Sequence, residues 1–153
     1  MQEQEFQPRK DYYEPMHTAE HILNQTMVRM FGCPRSKNTH IERKKSKCDY
    51  LLEQAPTEEQ ILEIENKVNE VISQNLPVTI ETVSLDEAKN LADLSKLPEG
   101  TEGTIRLVKI GDYDVCACIG AHVNNTSEIG RFKILTHNFE NGVWRMRYKL
   151  DSL

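Results

Sequence analysis

Met16-His17-Thr18-Ala19-Glu20-His21-Ile22-Leu23 is the stretch on which both the fold and the chemistry of this chain turn. Residues four apart share one face of a helix, so His17 and His21 can direct their imidazoles at a single point. Pro15 stands where a helix can begin, and Ile22, Leu23, Thr26, Met27 and Met30 recur at helical spacing until Gly32 and Pro34 stop the pattern. The spacing predicts a first helix over residues 15–31. Both histidines fall near its start, outside the middle of the apolar stripe, where they can face a cleft.

A second close pair lies far along the chain, in Cys118-Ile119-Gly120-Ala121-His122. With the helical pair it makes a three-histidine, one-cysteine set of the kind zinc accepts. One helical turn gives the first pair its rigidity, and a strand running out through Gly120 gives the second. Cys116 precedes Cys118 by two residues, a spacing that puts both on one face of a strand, so either thiol can ligate while the other packs beside it. Four protein ligands describe a closed structural site, whereas a loose ligand or a fifth position admits water and hydrolysis. His17-Thr18-Ala19-Glu20-His21 also matches H-x-x-E-H, the inverted zinc-peptidase pattern with Glu20 as base. That reading has no downstream acidic ligand and leaves Cys118 and His122 idle.

Outward from these motifs, Thr39–Glu42 and 47–52 suit two short strands around a basic turn. Thr57-Glu58-Glu59-Gln60 is a capping box, and the apolar spacing behind it predicts a helix over 58–74. Residues 77–83 alternate as a strand, 85–91 read as a short helix and 97–103 as a loop. Residues 105–110 and 114–118 form a hairpin through Gly111-Asp112, and 130–135 and 143–148 another through Asn141-Gly142. Helices and hairpins without regular alternation give an α+β fold, with a largely antiparallel sheet packed against helices. A polar lead-in covers residues 1–14 and a single domain 15–153.

At 153 residues, 38% hydrophobic and 28% charged, the composition is that of an ordinary soluble domain, with no apolar run long enough to span a membrane. The first ten residues lack the apolar block of a signal peptide, which predicts a cytoplasmic protein. Its four cysteines are then thiols, with Cys33 and Cys48 as small buried hydrophobes. A net charge of −5 argues against a protein that coats nucleic acid but not against local contact. Arg43, Lys44, Lys45 and Lys47 cluster, with Arg35 and Lys37 upstream, and such clusters can hold phosphates. His40 and His137 stand outside the ligand set.

The motifs H-T-A-E-H-I-L (17–23), C-I-G-A-H-V (118–123) and N-T-S-E-I-G-R-F-K-I (125–134) together resemble the editing domain shared by alanyl- and threonyl-tRNA synthetases and the free-standing trans-editing proteins called AlaX. Family members typically carry C-G-G-T-H-V and T-G-D-I-G-x-F-K-I in the latter two places. Gly142-Val143-Trp144-Arg145-Met146 is similar to their G-V-R-R-I segment. The resemblance runs from about residue 15 to 149. It implies zinc held by His17, His21, Cys118 and His122, and hydrolysis of the ester of a mischarged tRNA, with seryl- or glycyl-tRNA(Ala) as substrates. His17, His21 and Thr18 would line the reacting centre, Thr18 offering a hydroxyl to a serine side chain. Arg43, Lys44, Lys45, Lys47 and Arg145 would hold the acceptor end.

The alternative to this deacylase is a noncatalytic zinc-binding module that contacts tRNA or protein. The chain departs from the family where Ser36-Lys37-Asn38-Thr39 replaces Gln-x-Gly-Ser and where Ile119 and Ala121 replace a glycine and a threonine. It has no glycine-rich phosphate loop and no room for an aminoacylation domain, so no ATP is expected. RNA docking is left to this domain, to a partner or to self-association as a homodimer.

Overall fold

A computed structural model describes residues 13–92, 94 and 103–151. The lead-in up to residue 12 and the predicted loop from 97 to 102 lie outside the described residues. The first helix, α1, runs Glu14–Phe31, with Pro15 in its first turn. It ends where Gly32 takes the left-handed conformation, φ 66°, and its N–H reaches Val28 O at 2.9 Å.

This helix is more central than its apolar stripe predicted. Met16, Ala19, Ile22, Leu23 and Met27 are fully buried, but so are Thr18 and Thr26, and Glu20, His21 and Asn24 nearly so. Each buried polar group on such a helix needs a partner. Thr26 Oγ1 donates to Ile22 O at 2.8 Å, and Asn24 Oδ1 accepts from Tyr50 Oη at 2.6 Å and from the Ser36 N–H at 3.2 Å.

Around α1 lie β1 (Asn38–His40), β2 (Ser46–Leu51), α2 (Glu58–Ser73), β3 (Val78–Ser84), α3 (Leu85–Leu91), β4 (Thr104–Ile110), β5 (Asp114–Ala117), a short 3₁₀ turn (Thr126–Glu128), β6 (Arg131–Glu140) and β7 (Val143–Asp151). The predicted α+β class and the antiparallel pairing hold. The strands divide between two sheets, one ordered β1-β2-β7-β6 and the other β3-β4-β5. The segment from Cys118 to Gly130 carries the chain from one to the other, and a Pro77–Asn125 bridge ties it down.

The larger sheet turns Cys48 and Tyr50 of β2 and Trp144, Met146 and Tyr148 of β7 inward, the period-two alternation of a half-buried strand. Tyr148 Oη donates to Met16 O at 3.1 Å, fixing the sheet to the first turn of α1. Asn141 and Gly142, at φ 52° and 77°, form the tight turn between β6 and β7. Both strands run further than the sequence suggested, with a register shift between Ile134 and Thr136.

Helix α2 closes the core with Ile64, Val68, Val71 and Ile72. Its capping box forms as expected, Thr57 Oγ1 accepting from the Gln60 N–H at 3.1 Å while Gln60 Oε1 accepts from the Thr57 N–H at 2.9 Å. Among the described residues no helix is long and apolar enough to cross a membrane.

Candidate metal centre

The α1 spacing and the end of β5 converge. One ligand atom from each of His17, His21, Cys118 and His122 lies within 4.8 Å of the others. Cys118 Sγ stands 3.6 Å from His17 Nε2 and 3.6 Å from His122 Nε2. The His17 and His122 rings stack at 4.3 Å, while His21 meets both at steep angles, with centroids 5.0 and 4.4 Å away.

A tetrahedral zinc with S–Zn of about 2.3 Å and N–Zn of about 2.05 Å has an S···N edge of about 3.6 Å. The two S···N separations match that edge, the group as a whole spreads to no more than 4.8 Å, and a thiol with three imidazoles is a donor set zinc favours. The residues therefore fit the ion.

Burial sets the state of His122. His122 is pushed down to about 2, first by burial and then by the nearby His17 and Arg106 charges, so its imidazole stays neutral, the form that ligates. Cys116 does not join the set. Burial pushes its thiol up to about 12, keeping it protonated, and Cys118 supplies the sulfur. Cys33 and Cys48 are buried, as expected of small hydrophobes.

Thr18 has no exposed surface, and its hydroxyl is fully engaged. It donates to Glu14 O at 3.2 Å, accepts from the Val123 N–H at 3.2 Å and sits 2.9 Å from His122 Nδ1. Nδ1 of His122 thus faces Thr18, which leaves Nε2, 3.6 Å from Cys118 Sγ, toward the cluster. The geometry places Thr18 behind a ligand rather than in front of a substrate.

Arg106 on β4 was not legible as a site residue. Its Nη1 donates to Cys118 O at 2.6 Å and Gly120 O at 2.9 Å, so one guanidinium clamps the turn that carries Cys118. Beyond His122 the chain is fixed by Thr126, whose Oγ1 accepts from the Leu76 N–H and donates to Ile72 O, both at 2.9 Å. Those contacts account for part of the N-T-S-E run.

Glu20 is buried, its Oε2 accepting from Thr39 Oγ1 at 3.2 Å. A peptidase using only His17, His21 and Glu20 leaves the nearness of Cys118 and His122 to that pair unexplained. His40 pairs with Glu42 at 2.8 Å, and the His137 ring lies 5.9 Å from that of Trp144, both outside the cluster.

The basic residues separate. Arg43, Lys44 and Lys45 are exposed and Lys47 half-buried. The Arg43 guanidinium lies 4.4 Å over the ring of Tyr13, the residue that caps α1 one turn before His17. Arg145 sits apart, bound to both Asp49 oxygens at 2.8 and 2.9 Å. Arg35 leaves the basic group altogether, entering a buried ion pair with Asp114.

Comparison with known proteins points to one family. The threonyl and alanyl tRNA synthetase second additional domain matches residues 105–147, which hold Arg106, Cys118 and His122. Alanine–tRNA ligase of Oceanobacillus iheyensis is 38% identical over 120 residues, 78% of this chain and 14% of the ligase. That of Treponema denticola is 34% identical over 137 residues, 88% of this chain and 23% of the ligase. That of Fervidobacterium nodosum is 37% identical over 123 residues, 80% of this chain and 14% of the ligase. The chain thus spans between a seventh and a quarter of these relatives' lengths. By this similarity the chain belongs to the family of the threonyl and alanyl tRNA synthetase second additional domain.

Proposed function

We propose that this domain is a zinc-dependent, cytoplasmic aminoacyl-tRNA deacylase of the trans-editing, AlaX-like kind, removing a wrong amino acid from seryl- or glycyl-tRNA(Ala). The observation that carries the reading is the meeting of four donor atoms within 4.8 Å, drawn from α1 and the end of β5, in a domain related to alanine–tRNA ligases. When bound, zinc supplies a Lewis acid that can polarise a carbonyl and acidify water. His17, His21, Cys118 and His122 would hold it. An aminoacyl ester is already reactive, so correct placement supplies much of the acceleration.

This chain's residues divide the remaining work. Arg43, which leans on Tyr13 at the amino end of α1, and the exposed Lys44 and Lys45 receive acceptor-stem phosphates. Ile119, 43% exposed beside Cys118, offers an apolar rim for a small aminoacyl group. Thr18 and Arg106 keep His122 and the Cys118 turn in place. No ATP is needed, because the substrate arrives charged.

Incubation of the purified chain with seryl-, glycyl- and alanyl-tRNA(Ala) tests the proposal. Seryl or glycyl esters should disappear far faster than in buffer while the alanyl ester persists. Survival of all three would overturn the enzyme and favour a noncatalytic tRNA- or protein-binding module. In the same assay, Lys44→Ala with Lys45→Ala should raise KM and leave kcat nearly unchanged. The salt dependence of binding should flatten by about one unit of slope per lost phosphate contact. An unchanged slope would remove the basic turn from the RNA interface.

A further inference from the structure

Asp114, the first residue of β5, has no exposed surface in its side chain, yet it carries a carboxylate. A buried carboxylate must be surrounded by donors. Arg35 Nη1 reaches Oδ1 at 2.7 Å and Nη2 reaches Oδ2 at 3.2 Å, and Gln25 Nε2 donates to Oδ1 at 3.0 Å. Oδ1 therefore holds two donors. Oδ2 holds one, and its other side faces His21 Nδ1 at 3.8 Å.

That direction matters because the two ring nitrogens of a metal-binding histidine have different tasks. One gives a lone pair to the ion, and the other bears a proton that a fixed acceptor behind the ring can hold. Behind His122, Thr18 Oγ1 stands in that place, 2.9 Å from Nδ1. We propose that Asp114 is the corresponding positioning residue for His21. At 3.8 Å the contact is electrostatic rather than a hydrogen bond, and the carboxylate's charge favours the tautomer with hydrogen on Nδ1, which turns Nε2 toward the cluster.

Arg35 and Gln25 make this orientation rigid. They approach Asp114 from the end of α1 and the loop that follows it, so the carboxylate cannot rotate away from His21 without breaking three hydrogen bonds. Glu20 Oε1 also lies 3.8 Å from His21, but on its Nε2 side, and Glu20 is itself bound by Thr39. Of the two carboxylates beside the ring, only Asp114 stands behind it. The inference rests on the proposed zinc site, and it makes a buried ion pair part of that site's outer support.

Two measurements on the full chain test it. In zinc-loaded, ¹⁵N-labelled wild type, long-range proton–nitrogen correlation spectra should show His21 protonated at Nδ1 and metal-bound through Nε2. Asp114→Asn should weaken zinc binding by about 10- to 100-fold against a competing chelator, the usual cost of losing such a partner. The asparagine, with Arg35 and its own amide to satisfy, should also leave the His21 tautomer mixed. A wild-type His21 bound through Nδ1 would overturn the assignment whether or not Asp114→Asn folds. Unaltered zinc affinity and tautomer in a folded Asp114→Asn would do the same. Failure of wild type to bind zinc would instead remove the metal reading, and this inference with it.

Discussion

Replacing Arg35 with methionine is expected to cost about 3–5 kcal/mol of folding stability, because it strands a carboxylate in the interior. The Asp114 side chain is 0% and that of Arg35 12% exposed, and their two-point contact joins the loop after α1 to the start of β5. With the guanidinium gone, Gln25 is the remaining strong donor to Asp114, too little for a charge without water. The measurement is chemical denaturation at neutral pH, followed by the fluorescence of Trp144, the only tryptophan and fully buried. Removing both partners, as Arg35→Met with Asp114→Leu, should recover a large part of the loss, since a buried pair replaced by apolar groups of similar size is often tolerated. A loss under about 1 kcal/mol for Arg35→Met would mean that water reaches the pair.

The second large effect concerns function. Cys118→Ala removes the sole sulfur of the cluster and its charge when ionised. Zinc affinity should fall by more than the ~100-fold that marks loss of an outer partner. Deacylation of seryl- or glycyl-tRNA(Ala) should fall with it, to the rate in buffer. Cys116→Ala separates a ligand from a neighbour, since the half-buried Cys116 lies outside the group of four. That variant should keep both zinc and activity. Equal losses from the two substitutions would assign the sulfur role to both cysteines.

Much of this was readable before any coordinates, and for identifiable reasons. His17 and His21 declared themselves because helical spacing converts a sequence interval of four directly into a shared face. Thr57 with Gln60, and Asn141 with Gly142, announced a helix start and a tight turn through local bonds and dihedrals that the sequence encodes within a few residues. What stayed hidden was long-range. Arg35 read as one more cation in a basic run, because nothing near it in sequence reveals that Asp114, 79 positions away, neutralises it.

Thr18 read as a substrate contact since its hydroxyl stands beside a ligand, but packing against Glu14 O, Val123 and His122 uses that hydroxyl fully. Arg106 lay inside an alternating strand and carried no local mark of its clamp on Cys118 and Gly120. The division into two sheets was likewise invisible, because period-two alternation shows that a strand has a buried face without showing which strands share a sheet.

In the proposed site, α1 and the end of β5 jointly hold one metal ion through three imidazoles and one thiolate. Cobalt(II) substitution tests it most directly, by titrating the metal-stripped chain and recording its spectrum. One equivalent should bind to wild type with the intense visible bands of a tetrahedral ion and a thiolate charge-transfer band in the near ultraviolet. That second band should be absent from Cys118→Ala. Weak binding to wild type with the pale spectrum of a six-coordinate ion, unchanged by Cys118→Ala, would rule out the shared site.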